Sequence, residues 1–433
     1  MTNDTIFALS TGLGKAGIAI IRVSGRDAFN IARKLTGISL IPRAATVCYL
    51  RFNQELIDQA LVVFFKSGSS YTGEDLVEFH IHGGSAVISH LSNVLSTGFN
   101  VSVANPGEFT RRALENGRLD ISQVEGLLDL INAETKEQKK QSLRVFSGQI
   151  GQKSKQWREK IIHSLSLAEI MIDFSDEDVP SSTISEIEAL VKSLVAEFEC
   201  EMAGSRSATL VRDGFDVTIV GQPNVGKSSL LNYLAGKEKA IVSEQAGTTR
   251  DIIELSIDLK GYRVNFYDTA GIHSTEDTLE KIGIDRALKK AALSHMRVFL
   301  LNPNDIVEDF GVVIEPSDLI LCAKCDLQSH TKYSGVSSAT GDGVGDMLSK
   351  ILNNITKSSS YSSVLINERH KKITERTLVF LRLALEEIDL TEARIEIVAE
   401  NLRLAILELD FLVGKINVED VLGDIFSSFC IGK

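Results

Sequence analysis

One loop constrains this chain more than any other feature: Gly221-Gln222-Pro223-Asn224-Val225-Gly226-Lys227-Ser228 fits G-x-x-x-x-G-K-[ST]. It follows the apolar run DVTIV at 216–220 and precedes SSLLNYLAG, so it reads as the turn between a buried strand and a helix. In that setting the backbone N–H groups and the helix N-terminus cradle phosphates, Lys227 reaches the β and γ groups, and Ser228 offers a hydroxyl to Mg²⁺. Strand-like runs recur at IIELSID, RVNFY, MRVFLL and DLILC with helical segments between them. That alternation predicts a mostly parallel, doubly wound α/β sheet.

The remainder of the 433 residues leaves room for about two further domains. The first hundred residues carry short β-rich runs, IAIIRV at 18–23 and ALVVFF at 60–65, broken by Gly and Ser clusters, which predicts a small α/β domain. Proline occurs six times, leaving 107–179 and 317–433 free of it, and long helices are tolerated in such tracts. Helical spacing runs from Asp120 to the acidic turn FSDEDVP at 174–180, and again through Ile184, Ile187, Val191, Leu194 and Phe198. After the serine-rich linker TKSSSYSS at 356–363 it returns through Ile373, Leu378, Leu381 and Leu385, then Ile395, Val398, Leu402, Ile406 and Leu409. The expected division is 1–118, 119–212, 213–355 and 356–433, with helical tracts in the second and fourth segments on either side of the nucleotide domain.

Charge and cysteine usage exclude several classes. Forty-six basic against 58 acidic residues give a net charge of −12, so a polyanion must be met by a local basic patch or through a partner. Such a patch exists between Lys136 and Lys160, with eight basic and two acidic residues, Lys136, Lys140 and Arg144 falling at i, i+4 on one helix face; a solvated face and a nucleic-acid contact both fit it. Five scattered cysteines do not describe a disulfide framework, and no run is long enough to span a bilayer, so a cytoplasmic protein without membrane contact is expected.

Further motifs place more chemistry around the loop. RVNFY runs into Asp268-Thr269-Ala270-Gly271, where an aspartate at a strand end holds Mg²⁺ and the glycine N–H approaches a γ-phosphate. Ala246-Gly247-Thr248-Thr249-Arg250-Asp251 lies between the two motifs, with Thr249 placed to close on the metal. The order and spacing favour GTP over ATP. After DLILC, Ala323-Lys324-Cys325-Asp326 stands where N-K-x-D is usual: Asp326 can accept from guanine, but the bracing asparagine is absent, so guanine selectivity survives at lower affinity. Cys322 and Cys325 also read as C-x-x-C, but no second pair at zinc spacing accompanies them. Ser338-Ala339 supplies the last guanine-contacting loop. Gly12 to Gly17 matches G-x-G-x-x-G, yet the strand-like IAIIRV follows where a dinucleotide fingerprint needs a helix, so it reads as a turn between strands. His80 and His82 alternate on a strand with no third metal ligand in view.

GQPNVGKSS, AGTTRD, DTAG and the closing Cys430-Ile431-Gly432-Lys433, together with DTIFALST, YTGEDLVEFHIHGG and NPGEFTRRALENGRLDISQVEGLLDLI, resemble the tRNA-modification GTPase MnmE (TrmE) family over the whole chain. That likeness implies that the two helical tracts form one discontinuous all-α domain, interrupted by the nucleotide domain. The resemblance implies that GTP or GDP is held by Gly221, Asn224, Val225, Gly226, Lys227, Ser228 and Ser229, by Ser243, Glu244, Gln245, Ala246, Gly247, Thr248 and Thr249, by Asp268, Thr269, Ala270 and Gly271, and by Lys324, Asp326, Ser338 and Ala339. Mg²⁺ would be held by Ser228, Thr249 and Asp268. Asn224, Ser243, the Gln245 backbone and Thr248 match a K⁺ site that stands in for an arginine finger when two GTPase domains pair, with serine at 243 in place of the usual threonine. Ile272 occupies the position of the water-orienting glutamine of Ras-like enzymes, and Glu280 matches the family's replacement for it.

In the first domain the resemblance implies a site for a one-carbon (formyl- or methylene-) tetrahydrofolate, with Arg22, Glu78 and Arg118 as matching residues: the cations suit the glutamate tail and Glu78 the pterin edge. The CIGK segment would bring Lys433 and Cys430 to that site, Cys430 near the modified base. The implied partners are a second copy, a flavin (FAD)-dependent protein of the MnmG (GidA) family in a heterotetramer, and tRNA, whose wobble uridine receives an aminomethyl-type group. Two rivals stay open at this point: a regulatory or ribosome-assembly GTPase switch, and a folate-dependent aminomethyltransferase with a decayed nucleotide domain.

Overall fold

The structure, a computed structural model, describes residues 4–12, 14–99, 101–174, 182–237, 240–241, 255–268, 291–302, 305, 313–327, 333–358, 363–390, 393–414, 423, 425–426, 429 and 432. It divides into two compact units: Met1–Leu128 with Phe146–Lys155 and Asp410–Lys433, and Asp129–Val145 with Gln156–Leu409.

The first unit is built on strands β1 (Ile6–Leu9), β2 (Ala16–Ser24), β3 (Thr46–Phe52), β4 (Glu55–Phe65), β5 (Leu76–Gly83) and β6 (Ser102–Val103), ordered β3-β4-β5-β2-β1-β6. All neighbours are antiparallel except β1 with β6. The expected turn at 12–17 does join two antiparallel strands, β1 and β2. Side chains alternate across a strand, and that period sorts this sheet into two faces. Ala19, Ile21 and Val23 of β2 and Val77, Phe79 and Ile81 of β5 enter the core with Ile31 and Leu35 of α1 (Ala28–Thr36) and Leu91 and Leu95 of α2 (Ser85–Gly98). The intervening positions, Arg22, Glu78 and His80, therefore point to the opposite face, and register pairs Arg22 with Glu78 and Ile20 with His80. Helix α3 (Glu108–Glu115) contributes Phe109 to a small cluster with Ile6, Ala8 and Ala104.

The tract from 120 to 174 is helical but not continuous. It forms α4 (Ile121–Ile131), α5 (Lys136–Phe146) and α6 (Gln149–Asp173). The break before α5 is a capping box: Gln138 N donates to Thr135 Oγ1 at 3.4 Å and the Gln138 side chain accepts from Thr135 N at 3.1 Å. The break after α5 passes through Gly148 at φ +85°.

In the second unit, α7 (Ser182–Asp213) leads into β7 (Phe215–Gly221), the central strand of a sheet ordered β12-β11-β10-β7-β9-β8. Its other members are β8 (Leu255–Leu259), β9 (Tyr262–Asp268), β10 (Met296–Leu301), β11 (Leu319–Ala323) and β12 (Ser334–Val336). Five of the six strands run parallel, as the alternation predicts; only the edge strand β8 is antiparallel, because it pairs with β9 as a hairpin. Lys260 at φ +50° and Gly261 at φ +97° make its two-residue turn. The buried residues of β7 pack with Leu230 and Leu234 of α8 (Lys227–Lys237) and with Met347 and Ile351 of α9 (Val344–Ser358). Helix α9 takes in the first residues of the expected serine-rich linker, because Thr356 Oγ1 donates back to Leu352 O at 3.0 Å and satisfies its hydroxyl inside the helix. After it come α10 (Glu368–Ile388), capped by Asn367 Oδ1 accepting from His370 N at 2.8 Å, and α11 (Ile395–Leu412). The chain is thus an α/β N-terminal part, helices in two stretches, and an inserted P-loop sheet.

Candidate functional site

The phosphate loop joins the end of β7 to the start of α8. Gly221 is required: a Cβ there would lie 2.7 Å from Leu300 O on the neighbouring strand. Asn224 turns the chain at φ +62° and Gly226 at φ +115°. Lys227 is buried, and its ammonium donates to Gly221 O at 2.9 Å and Gln222 O at 3.2 Å, folded over the loop where phosphate oxygens would compete for it. Val225 is buried beneath the loop, whereas Ser228 and Ser229 open the helix on its exposed side.

Asp268 ends β9, the strand beside β7, and this adjacency carries it to the loop. Ser228 Oγ donates to Asp268 Oδ2 at 3.1 Å, while Asp268 Oδ1 is buried with no hydrogen-bond partner among the described residues. A buried carboxylate oxygen without a donor, next to a hydroxyl, suits a hard cation that takes oxygen ligands, so these two residues fit Mg²⁺.

The segments expected to contact guanine follow β11 and β12. Lys324, at φ +57°, sends its ammonium to Asn224 O at 3.0 Å and ties this segment to the phosphate loop. Cys325 N donates to Val336 O at 3.4 Å, which sets the turn carrying Ser338 and Ala339 beside the exposed Asp326. Ala339 N and Thr340 N both donate to Ser337 Oγ at 3.2 Å, holding that turn in shape. Ala323 is buried, so no amide is available where the usual asparagine stands. Burial pushes both the Cys322 and Cys325 thiols up, with Asp342 and Asp326 adding to the effect at Cys325. Neutral thiols are poor zinc ligands and weak nucleophiles, and among the described residues no group of three metal-ligating side chains occurs.

A second site lies on the open face of the first sheet. Arg22 donates through Nε and Nη2 to Glu78 Oε1 at 3.1 and 2.8 Å, and its guanidinium lies 5.4 Å from the Tyr71 ring and 5.7 Å from that of Phe109. The carbonyl of Gly432 docks here, accepting from Ser10 Oγ at 3.0 Å and from Arg22 Nη1 at 3.4 Å. Gly432 has no alternative at this position, since its φ is +99° and a Cβ would meet Leu9 O at 2.2 Å. His80 Nε2 lies 3.4 Å from Glu78 Oε2, within reach of its charge, but makes no hydrogen bond. Tyr71 OH exchanges a 2.7 Å bond with buried Thr110; burial raises the phenol, and that bond and Arg22 lower it less. The Glu78 carboxylate and the half-buried Tyr71 ring are groups that could bond and stack on a flat heterocycle, while Phe109 is wholly buried behind Arg22 and His80 Nε2 is buried without a hydrogen bond among the described residues. Arg22 is already salt-bridged to Glu78, and Arg118 is exposed and donates to Gly68 O at 3.1 Å, on the loop that carries Tyr71.

Two family models match the chain: "GTP-binding protein TrmE N-terminus" over residues 5–118 and "MnmE helical domain" over residues 121–430. The chain is 44% identical over 431 residues to the tRNA modification GTPase MnmE of Cereibacter sphaeroides, covering 99% of this chain and 100% of that protein. The chain belongs to the tRNA modification GTPase MnmE family. The MnmE of a Bradyrhizobium species is 43% identical, covering 100% of this chain and 99% of that one. Among solved structures, the G domain of the Thermotoga maritima FeoB iron transporter matches 32% of this chain and 98% of its own at 27% identity and a TM-score of 0.24. Era from Aquifex aeolicus, bound to GDP and aluminium fluoride, matches 32% and 56% at 24% identity and a TM-score of 0.27. As a member of the MnmE family the protein is a GTP hydrolase involved in tRNA modification.

Of the residues named from the sequence, the structure brings together Asn224, Lys227, Ser228, Asp268 and Lys324 at one site and Arg22 with Glu78 at the other. Ser243 to Thr249, Thr269 to Gly271, Glu280, Cys430 and Lys433 lie outside the described residues. Sequence reasoning missed Ser10, Tyr71 and Gly432 around Arg22, and Phe109 packed behind it. Tyr71 and Phe109 stood inside the stretches that carried the MnmE resemblance, but no spacing rule singles them out. It also missed the buried Arg112, which donates to Glu74, Glu108 and Asp4 O and holds α3 against the sheet.

Proposed function

We propose that this MnmE-family protein is a K⁺-dependent GTPase that acts in the cytoplasm as a homodimer with a flavin-dependent protein of the MnmG (GidA) family. Together they install an aminomethyl or carboxymethylaminomethyl group on the wobble uridine of certain tRNAs, with a one-carbon tetrahydrofolate as carbon source. The observation that carries this reading is Gly432 seated on Arg22 and Ser10 beside Glu78, which anchors the CIGK segment at the site assigned to the folate. A bound one-carbon folate supplies an electrophilic carbon. Within the chain, Glu78 accepts from the heterocycle's N–H edge, Arg22 fixes that carboxylate rather than binding the glutamate tail, and the Tyr71 ring lies beside it.

At the nucleotide site, Lys227 moves from its loop carbonyls to the phosphates, Ser228 and Asp268 hold Mg²⁺, and Lys324 keeps the guanine segment in register with the loop. Asn224, with Ser243, Gln245 and Thr248, would hold K⁺, and Glu280 would orient the attacking water. The division at 118, 212 and 355 belongs to the same proposal. Hydrolysis then opens and closes paired GTPase domains rather than driving the carbon chemistry.

Two measurements test it. Purified protein should hydrolyse GTP faster in K⁺ than in Na⁺ buffer, with turnover lost in Lys227→Ala and Glu280→Ala; equal rates in the two salts would remove the K⁺ assignment. A deletion strain should accumulate hypomodified wobble uridine, and fully modified tRNA there would leave a regulatory switch as the function.

A further inference from the structure

Helix α5 has two unlike faces. Gln138, Ser142 and Val145 are buried, and the amides of Gln138 and Gln141 donate to Arg212 O and Ala208 O at 2.9 Å each, fastening that side to α7. The opposite side, at i, i+3, i+4 and i+8, is Lys136, Lys139, Lys140 and Arg144, all exposed. The tip of the β8–β9 hairpin abuts the start of this face: Glu137 N donates to Gly261 O at 3.1 Å, and a Cβ on Gly261 would lie 3.4 Å from Lys136 Cβ. Exposed Lys260, next to Gly261 in that turn, therefore extends the row.

Of the acidic groups around the row, Glu134 is taken up by a cation outside it, whereas Glu137 offsets part of the charge of Lys140. Glu134 pairs with Arg263 at 2.7 Å, Glu137 with Lys140 at 3.5 Å, and Asp258 Oδ1 accepts from Gly261 N at 2.6 Å. In a chain of net charge −12, five cations spread over about 12 Å of helix and the adjoining turn form a local field opposite in sign to the average.

We propose that Lys260, Lys136, Lys139, Lys140 and Arg144 form a docking strip for the phosphate backbone of the tRNA substrate, built jointly by a GTPase-sheet hairpin and a helix. The proposal rests on the family's action on tRNA. A polynucleotide fits better than a lipid surface, because Leu143 is the only large apolar side chain on the outward face of α5 and a membrane-lying helix needs an apolar stripe. Four of the five cations are lysines, point charges suited to phosphate rather than to forked recognition of a base edge, so the strip positions tRNA without reading sequence.

The test is tRNA binding by the full-length protein across a salt series, comparing wild type with a variant carrying Lys136→Gln, Lys139→Gln, Lys140→Gln and Lys260→Asn. Asparagine is chosen at 260 because it tolerates the left-handed turn. Each phosphate contact adds about 0.7–0.9 to the slope of log affinity against log salt, so the variant should lose about three from that slope and bind tenfold or more weakly, to cognate and non-cognate tRNA alike. GTP turnover without tRNA should be unchanged. A control with the exposed Lys350, Lys357 and Lys372 changed to Gln should keep wild-type affinity. Wild-type binding with an unaltered slope in the variant overturns the strip, as does equal weakening in the control. Failure of the wild type itself to bind any tRNA would instead strike the modification reading.

Discussion

Gly432→Ala should undock position 432 from the first sheet while leaving the rest of the unit folded. The methyl group would sit 2.2 Å from Leu9 O, a backbone atom that cannot rotate away, and the position holds φ +99°. An L-residue in a left-handed conformation costs about 1–2 kcal/mol. Relieving the overlap requires a displacement that breaks the 3.0 Å bond from Ser10 Oγ, worth about 0.5–1.5 kcal/mol, and lengthens the already long 3.4 Å contact from Arg22. Together these come to about 3 kcal/mol, roughly a hundredfold in the ratio of docked to undocked state at about 1.4 kcal/mol per decade. Hydrogen–deuterium exchange reads this directly. The Phe429 amide, which donates to Phe426 O at 3.1 Å, should exchange about a hundred times faster while peptides from β4 and β5 keep their wild-type rates. Gly12→Ala is the matched control, because a Cβ there meets nothing within 4 Å. Exchange within threefold of wild type in Gly432→Ala would refute the close-approach argument.

Other outcomes follow from the same geometry. Arg297 is buried in an ion pair with Asp318, 2.6 Å from Nη2 to Oδ2 and 3.0 Å from Nε to Oδ1, so Arg297→Ala strands a buried carboxylate and should cost about 3–5 kcal/mol in urea unfolding; a loss below about 1 kcal/mol would contradict that. Ser228→Ala should raise the Mg²⁺ concentration needed for half-maximal GTP turnover tenfold or more without moving the melting temperature, since Ser228 is exposed; an unchanged Mg²⁺ requirement would remove its hydroxyl from the metal site. Because burial raises their thiols, Cys322 and Cys325 should alkylate more slowly at pH 7.5 than exposed Cys200, the gap narrowing as pH rises and thiolate forms; equal rates at pH 7.5 would show them ionised.

The nucleotide site was largely legible because its chemistry is local in sequence: a glycine loop between a buried strand and a helix leaves few places for Lys227 and Ser228 to go. Asp268 was legible for a related reason, since a strand-end aspartate reaches the loop whenever its strand lies beside the first. The sheet face was legible only in halves. Alternation along β2 and β5 fixes that Arg22, Glu78 and His80 share a side, but not that Arg22 spends its charge on Glu78, because register between two strands is a tertiary fact. Gly432 was invisible as a requirement, since its need arises from Leu9, more than four hundred residues away. The helix breaks were misread for the opposite reason: the T-x-x-Q signature at Thr135 was present, and periodicity across 120–174 masked it.

Strand β9 deserves a mechanical description. At one end it presents Asp268, proposed above as a Mg²⁺ ligand; at the other it turns through Gly261, whose carbonyl is bonded to the first turn of α5. The ends are about 20 Å apart, and an extended strand has almost no slack. Its parallel register with β7 from Phe215–Val264 to Ile219–Asp268 stops it sliding alone. It behaves as a rod clamped along its length, so a change at the metal end that tilts it must either strain that clamp or swing the hairpin tip and the lysines beside it.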